Sequence, residues 1–447
     1  MNFGIVLARR GRGLAWWCNQ GRVRRRTATG QPVPPRCLGG ALPGRVLLGV
    51  LAIAVLSAPA RAQQASLPTP PGFEPGIGLS LGGVTFHTRL QSGITATSNV
   101  RNDPTEESDF ERVLSGNVSA QSTWKRHALS ASVSHVDQRA FDIDDQDRFA
   151  TSGTLGGRID LWQHWSVDAD LMHQQSIVDQ NDPQQFIGNT HGRTETDIIG
   201  LGVKREDAYT LFTLKGRFQD IENKTELDLA NFRRISANDR IERDLTLQGG
   251  AKYKWGRAYI ELGGEEVEYS EPQTVPSVDR DTVGLSGGVG VEFQTVALSG
   301  FARVIAFHKD YEAATIGDVT GITGTGELVW QVRDNVALAG ELARTFQEQA
   351  TAGSAGLYSN TAAIGVVYQP VDTVYIKAGP SYTLYEQQGL DQKTRNASFG
   401  ATGAWQVHDR LELLLNANFS RQTVNDPALN NLEYDDATVT LSTVVTF

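Results

Sequence analysis

The chain returns again and again to one pattern, a short run in which apolar and polar side chains alternate. LSGNVSAQSTW places Leu114, Gly116, Val118, Ala120 and Trp124 on one face, and DLTLQGGAKYKW does the same with Leu245, Leu247, Gly249, Ala251, Tyr253 and Trp255. In RLELLLNANF the matching set is Leu411, Leu413, Leu415, Ala417 and Phe419. The last run, ATVTLSTVVTF, sets Ala437, Val439, Leu441, Val445 and Phe447 against Thr438, Thr440, Ser442, Val444 and Thr446. A period of two means a strand with one apolar and one polar side. About eighteen such segments recur, each near the roughly 9–11 residues that a tilted strand needs to cross a bilayer. An open edge on the final strand is a pairing hazard, which closure against the first strand removes.

The connections are as informative as the strands. Long polar loops are expected near residues 100–109, 137–147, 177–194, 220–239, 268–281, 308–319, 347–357, 386–394 and 422–434. Tight turns are expected between them, around Lys125-Arg126, Gln163, Glu206-Asp207, Gly256, Gln294-Thr295, Asp334-Asn335, Pro370-Val371 and His408-Asp409. Strict alternation of this kind predicts an all-β fold, a transmembrane antiparallel up-and-down β-barrel of about eighteen strands over residues 83–447. Short turns then face the periplasm and longer loops face outward. A soluble sandwich or propeller has no reason to keep such alternation along a whole chain.

The N-terminal segment reads differently. Residues 1–62 hold ten arginines and no acid, and Val46 to Ala58 is an apolar run of signal-peptide length. Ala60-Arg61-Ala62 reads as its cleavage site, with residues 63–82 left as a short periplasmic segment. The stretch before Val46 is long for a signal peptide, which points to a translation start placed too far upstream. Without residues 1–62 the charge is 31 − 51 = −20, since the segment takes ten of 41 basic residues and none of 51 acidic ones. That acidity argues against nucleic acid as a partner. Both cysteines, Cys18 and Cys37, leave with the segment, so neither disulfides nor a thiol nucleophile are expected. Cys37 follows Pro-Pro-Arg, which is no lipidation signal.

Tryptophan prefers the membrane interface. Trp124, Trp162, Trp165, Trp255, Trp330 and Trp405 all fall beside expected short turns and form a candidate periplasmic girdle, with Tyr209, Tyr253, Tyr259, Tyr368 and Tyr375 near them. The strand phases point another set inward. Candidate pore-lining bases are Lys204, Lys215, Arg217, Lys252, Lys254, Arg303 and Lys377, and candidate pore-lining acids are Asp168, Asp170, Glu261, Glu292, Glu327, Glu341 and Glu412. The bases clustered between Lys204 and Lys254 read either as a track for anions or as partners of Asp168, Glu327 or Glu341 across the barrel. Glu106-Glu107, the Asp142–Asp147 cluster and Glu265-Glu266 with Glu268 are expected on the outer side.

No enzyme signature emerges. The eight histidines form no metal-binding spacing, and there is no G-x-S-x-G elbow. Ser134-His135 is the only pair that suggests an outer-membrane esterase. The glycine-rich SGGVGVEF (Ser286 to Phe293) and GITGTGEL (Gly321 to Leu328) lie inside expected strands and read as glycines that let a barrel strand bend. No cofactor or metal is expected.

These marks, namely the export signal, the long/short alternation, the tryptophan girdle and the terminal ATVTLSTVVTF, resemble the outer-membrane β-barrel porin families of Gram-negative bacteria. The resemblance covers Val84 to Phe447. It implies an outer-membrane location after export through the inner membrane, with outer-membrane lipids, lipopolysaccharide and the barrel-assembly machinery as partners. It also makes Val439, Leu441, Val445 and Phe447 a barrel-assembly signal. Some members of these families accompany exopolysaccharide secretion, which would bring in periplasmic components of a polysaccharide export system. The expected function is a passive channel for hydrophilic solutes or for polysaccharide export. The alternatives are a closed barrel acting as an anchor or adhesin through acidic loops, or an outer-membrane lipid-modifying enzyme.

Overall fold

The computed structural model describes residues 78–447 apart from 144–145, 179–191, 226–238, 271–279, 313–315, 349–353 and 426–432. The proposed leader, residues 1–62, and most of the segment 63–82 lie outside the described residues. The strands are β1 (Leu79–Leu81), β2 (Val84–Thr97), β3 (Asp109–Ser122), β4 (Ala128–Ala140), β5 (Arg148–Trp162), β6 (Trp165–Val178) and β7 (Gly192–Glu206). They continue as β8 (Thr210–Thr225), β9 (Arg240–Tyr253), β10 (Gly256–Tyr269), β11 (Thr282–Gln294), β12 (Leu298–Tyr311) and β13 (Val319–Arg333). The last six are β14 (Val336–Gln347), β15 (Gly356–Val371), β16 (Val374–Gln388), β17 (Lys393–His408), β18 (Leu411–Val424) and β19 (Tyr434–Thr446).

From β2 to β19 each strand pairs antiparallel with the next, and β19 pairs back onto β2 from Thr438↔Thr97 to Thr446↔Arg89. The result is a closed barrel of eighteen strands, β1 standing aside from the nineteen. Closure leaves no free sheet edge in the apolar layer, which is the condition for a sheet to span a bilayer.

The period of two turns into two surfaces. Ile260, Leu262, Leu285, Val289, Ile322, Leu342, Ile364 and Leu441 are all exposed on the outside, Leu342 by 68% and Ile260 by 62%. So much exposed aliphatic surface suits hydrocarbon as the solvent. The opposite face is polar, and hydroxyls on it pair across the strands. Ser132 bonds Thr154, Ser134 bonds Ser152, Thr95 bonds Thr440 and Ser381 bonds Ser398, each at 2.7 Å. Such pairs hold neighbouring strands in register and satisfy the wall's polar groups without water.

β1 forms a two-residue hairpin with β2 through Gly82 and Gly83, whose φ angles of 59° and 84° suit a primed turn. It pairs with Val84–Phe86 of β2, next to the stretch occupied by β19.

The eighteen barrel strands are longer than expected, from 12 residues in β14 to 16 in β8. They rise past the apolar layer into segments expected to be loops. Residues 308–311 belong to β12, and the loop expected over 386–394 contracts to four residues between Gln388 and Lys393. Glu265, Glu266 and Glu268 likewise lie on β10. Above the membrane both faces of a strand are polar, so the apolar alternation fades while the ladder continues.

The lumen as candidate functional site

The interior face carries the charged residues, and the structure resolves how they are neutralised. Lys204 and Lys252 both bind Glu206, the latter at 2.8 Å. Lys215 lies 3.7 Å from Asp170, Arg303 is 2.7 Å from Glu261, and Arg257 is 2.6 Å from Glu292. Arg89 and Glu412 meet at 3.5 Å beside the β19–β2 closure. Arg217 faces Asp244 in the β8–β9 ladder. These pairs join residues of one strand or of adjacent or next-adjacent strands, and none of them spans the barrel.

Glycines make this possible. On β11 the interior positions Gly284, Gly288 and Gly290 leave room for side chains of β10 and β12 to meet over them. Arg303 reaches Glu261 in this way, and Lys309 reaches Glu265 at 2.9 Å. A Cβ on Gly290 would strike the Tyr259 ring, and one on Gly284 would press on Lys309 at 3.3 Å. On β7, Gly200 and Gly202 lie between Asp170 and Lys215. The glycine-rich run of β11, expected to serve strand bending, provides clearance for ion pairs.

Asp168 faces Gly202 on β7 and Arg158 on β5, while Glu327 and Glu341 are directly opposed in the β13–β14 ladder. Lys377, between Val367 and Thr402, has no ion pair among the described residues. Lys254 departs from expectation. It lies in the two-residue turn between β9 and β10, one position past the end of β9, where strand alternation no longer sets the face.

The six tryptophans lie at the ends of the strands where the short turns are. Trp162, Trp255, Trp405, Trp124 and Trp330 are each about half exposed or more. Trp165 stacks against the Arg205 guanidinium, 5.9 Å from its ring centre. Tyr259 is buried on the interior face, unlike the tryptophans. Val439, Leu441 and Val445 lie at the outward positions of β19, and Phe447 follows them one residue past its end. One short turn is tightly built: the Asp207 carboxylate accepts from the Tyr209 N–H, the Thr210 N–H and the Thr210 hydroxyl at 2.7–2.8 Å. These bonds, the Tyr209 N–H first, hold its pKa down to about 2.

Ser134 and His135 do not form a catalytic pair. Ser134 bonds Ser152 on the interior face, whereas His135 bonds Thr151 through Nδ1 on the outer one. Adjacent residues of a strand point to opposite sides. At the exposed outer rim, His308, Asp310 and Asp318 bring possible ligand atoms within 4.8 Å of one another. Asp318 arrives there across the β12–β13 connection, so spacing in the sequence gave no sign of the cluster.

The most unusual part of the wall lies at its outer end between β13 and β14. Their ladder stops at Gly324↔Arg344. Above it β13 stays paired to β12 as far as Val319, and β14 stays paired to β15 as far as Gln347↔Leu357. Phe346 and Tyr358 should face outward by strand phase. Instead their rings pack on Phe307 of the interior face, at 5.2 and 6.5 Å between centres. The upper ends of β14 and β15 therefore lie on the lumen side of β12 and β13. Glu348 continues the overlap, accepting from Lys309 at 2.8 Å and from the Tyr311 hydroxyl at 3.0 Å. Arg280 donates to the Ser354 carbonyl at 2.9 Å.

Comparison with known proteins identifies the barrel's relatives. The model of the family described as "Putative beta-barrel porin 2" matches residues 70–447. No curated protein matches the sequence. Among solved structures, the FrpB iron transporter from Neisseria meningitidis (F5-1 variant) aligns with a TM-score of 0.46 and 9% identity, over 78% of this chain and 64% of that one. The ferric enterobactin receptor PfeA from Pseudomonas aeruginosa aligns with a TM-score of 0.43 and 9% identity, over 81% of this chain and 80% of that one. The chain spans less than two thirds of the FrpB structures.

Proposed function

The chain belongs to this β-barrel porin family, an outer-membrane β-barrel group, and from that premise we propose that it is a passive channel for hydrophilic solutes. One observation carries the reading. The interior wall is largely polar, with hydroxyl pairs and ion pairs between small apolar clusters at Ala404, Leu414 and Val444 and at Phe307 and Val319, where a barrel serving only as an anchor has no need of a hydrophilic interior. Lys204, Lys215, Arg217, Lys252, Arg303 and Lys377 line the path together with Asp168, Asp170, Glu261, Glu292, Glu327, Glu341 and Glu412. Because most of these charges are paired, the wall supports weak ion selectivity more than a dedicated anion track. The function is transport and requires no catalytic group.

The experiment is swelling of proteoliposomes in sugars of graded size. Entry of small sugars with a sharp upper limit supports a solute channel. Passage of long oligosaccharides would move the reading to polysaccharide export. Liposomes that hold the folded barrel yet stay impermeable to the smallest sugar would overturn both.

A further inference from the structure

We propose that the overlap of β14 and β15 on the inner side of β12 and β13 is the constriction that sets the channel's size limit. In this account Lys309 is the residue that holds the overlap in place. The proposal rests on the channel reading above and names the part of the wall that makes it selective.

Three kinds of contact fasten the overlap, two of them from β12 and its neighbour β13 and the third from Arg280, just before β11. Lys309 of β12 stands between Glu265 of the wall and Glu348 of the overlapping segment, at 2.9 and 2.8 Å. Its side chain is 9% exposed and that of Glu348 only 2%. A buried carboxylate that loses its ion-pair partner carries a large desolvation cost, so Lys309, the cation in direct contact with Glu348, favours the seated position. Tyr311 adds its hydroxyl, which is shared between Glu348 and the Ala355 carbonyl at 3.0 Å.

The second contact is apolar. Phe307, Tyr311, Val319, Ala355 and Tyr358 form one buried cluster, with Ile316 and Phe346 packed against it. Gly321 lies under the Tyr358 hydroxyl, and a Cβ at this position would collide with it. The third contact is the buried Arg280, which binds the Ser354 carbonyl and lies over the Tyr269 ring of β10. Together these draw the segment over the inner wall from β13 toward β10, which removes cross-section from the mouth. Nothing comparable is needed to close the barrel, which the β19–β2 ladder already does.

The test compares single-channel conductance and sugar size limit for wild type, Lys309→Met, Lys309→Arg and Gly321→Val, each shown to be folded by its heat-modifiable gel mobility. Lys309→Met should raise the conductance and admit larger sugars, because Glu348 would lose its ion-pair partner and leave the site. Gly321→Val should do the same by displacing Tyr358 without touching any charge. Lys309→Arg should keep wild-type values. Wild-type conductance and size limit in both folded Met and Val variants would overturn the constriction while leaving the channel intact. Absence of current in wild type and in every folded variant would instead overturn the channel reading, and this proposal with it.

Discussion

Phe447 and Thr88 exchange two backbone hydrogen bonds. The Phe447 N–H donates to the Thr88 carbonyl at 2.9 Å, and the Thr88 N–H donates to the Phe447 carbonyl at 3.0 Å. This is the periplasmic end of the seam that turns a sheet into a barrel, and Arg89–Glu412 lies beside it on the interior face. Removing residues 445–447 deletes this end of the seam and leaves Thr88–Leu90 as an unpaired edge at the membrane interface. The expected result is a loss of folded, heat-modifiable barrel in unheated gels, with wild-type mobility as the contrary outcome.

The two faces of the wall should respond unequally to the same charge. Leu262 lies midway along β10, on the outside, between Leu247 and Gly287. Leu262→Arg places a guanidinium in hydrocarbon and should cost about 2–4 kcal/mol. Asn418 lies on the interior of β18 between Gly400 and Thr438. Asn418→Arg should change stability by less than the outward substitution. Urea unfolding of both variants in lipid vesicles checks the assignment, and equal losses would contradict it.

Arg303 and Glu261 form a pair over the glycines of β11, with side chains 40% and 11% exposed. Arg303→Glu sets two carboxylates together and should move the reversal potential toward cation preference while lowering stability. Exchanging the pair, Arg303→Glu with Glu261→Arg, should return both toward wild type. A coupling of about 1 kcal/mol is expected for a pair whose arginine is open to water. A double variant no better than the single one would mean that the two side chains do not act as a pair.

The Asp207 turn offers a pH test. Its carboxyl is held near a pKa of about 2, below the ordinary 3.8. A lowered folded pKa stabilises the fold above the unfolded value, and that contribution is lost as the pH falls toward 2. Asp207→Ala should therefore lower the unfolding midpoint at pH 7, with the difference from wild type shrinking between pH 4 and pH 2. A difference that stays constant over that range would show that the charge plays no part.

Much of this barrel can be read from its sequence because a period of two survives wherever one face meets lipid. The phases of β9, β18 and β19, the tryptophan end of the barrel and the first strand at Val84 all follow from it. The signal weakens where lipid no longer selects one face. Lys309 and Tyr311 fall in a segment that reads as loop, yet they sit on β12 and hold the overlap. Glu206 reads as a turn residue, although it joins Lys204 and Lys252. Phe346 and Tyr358 left a trace, two aromatics at outward positions beside Arg344 and Glu348, where no apolar layer would require them. Alternation shows which face a side chain takes but not that a wall overlaps itself, so that trace became legible only with the ladder register.

The central claim is that the polar interior is a path for solutes across the outer membrane. Its most direct test is the current carried by purified, folded wild-type protein in a planar lipid bilayer. The account predicts discrete, reproducible conductance steps with a reversal potential near zero in a salt gradient. Heat-modifiable, folded protein that inserts and yields no current steps would contradict it.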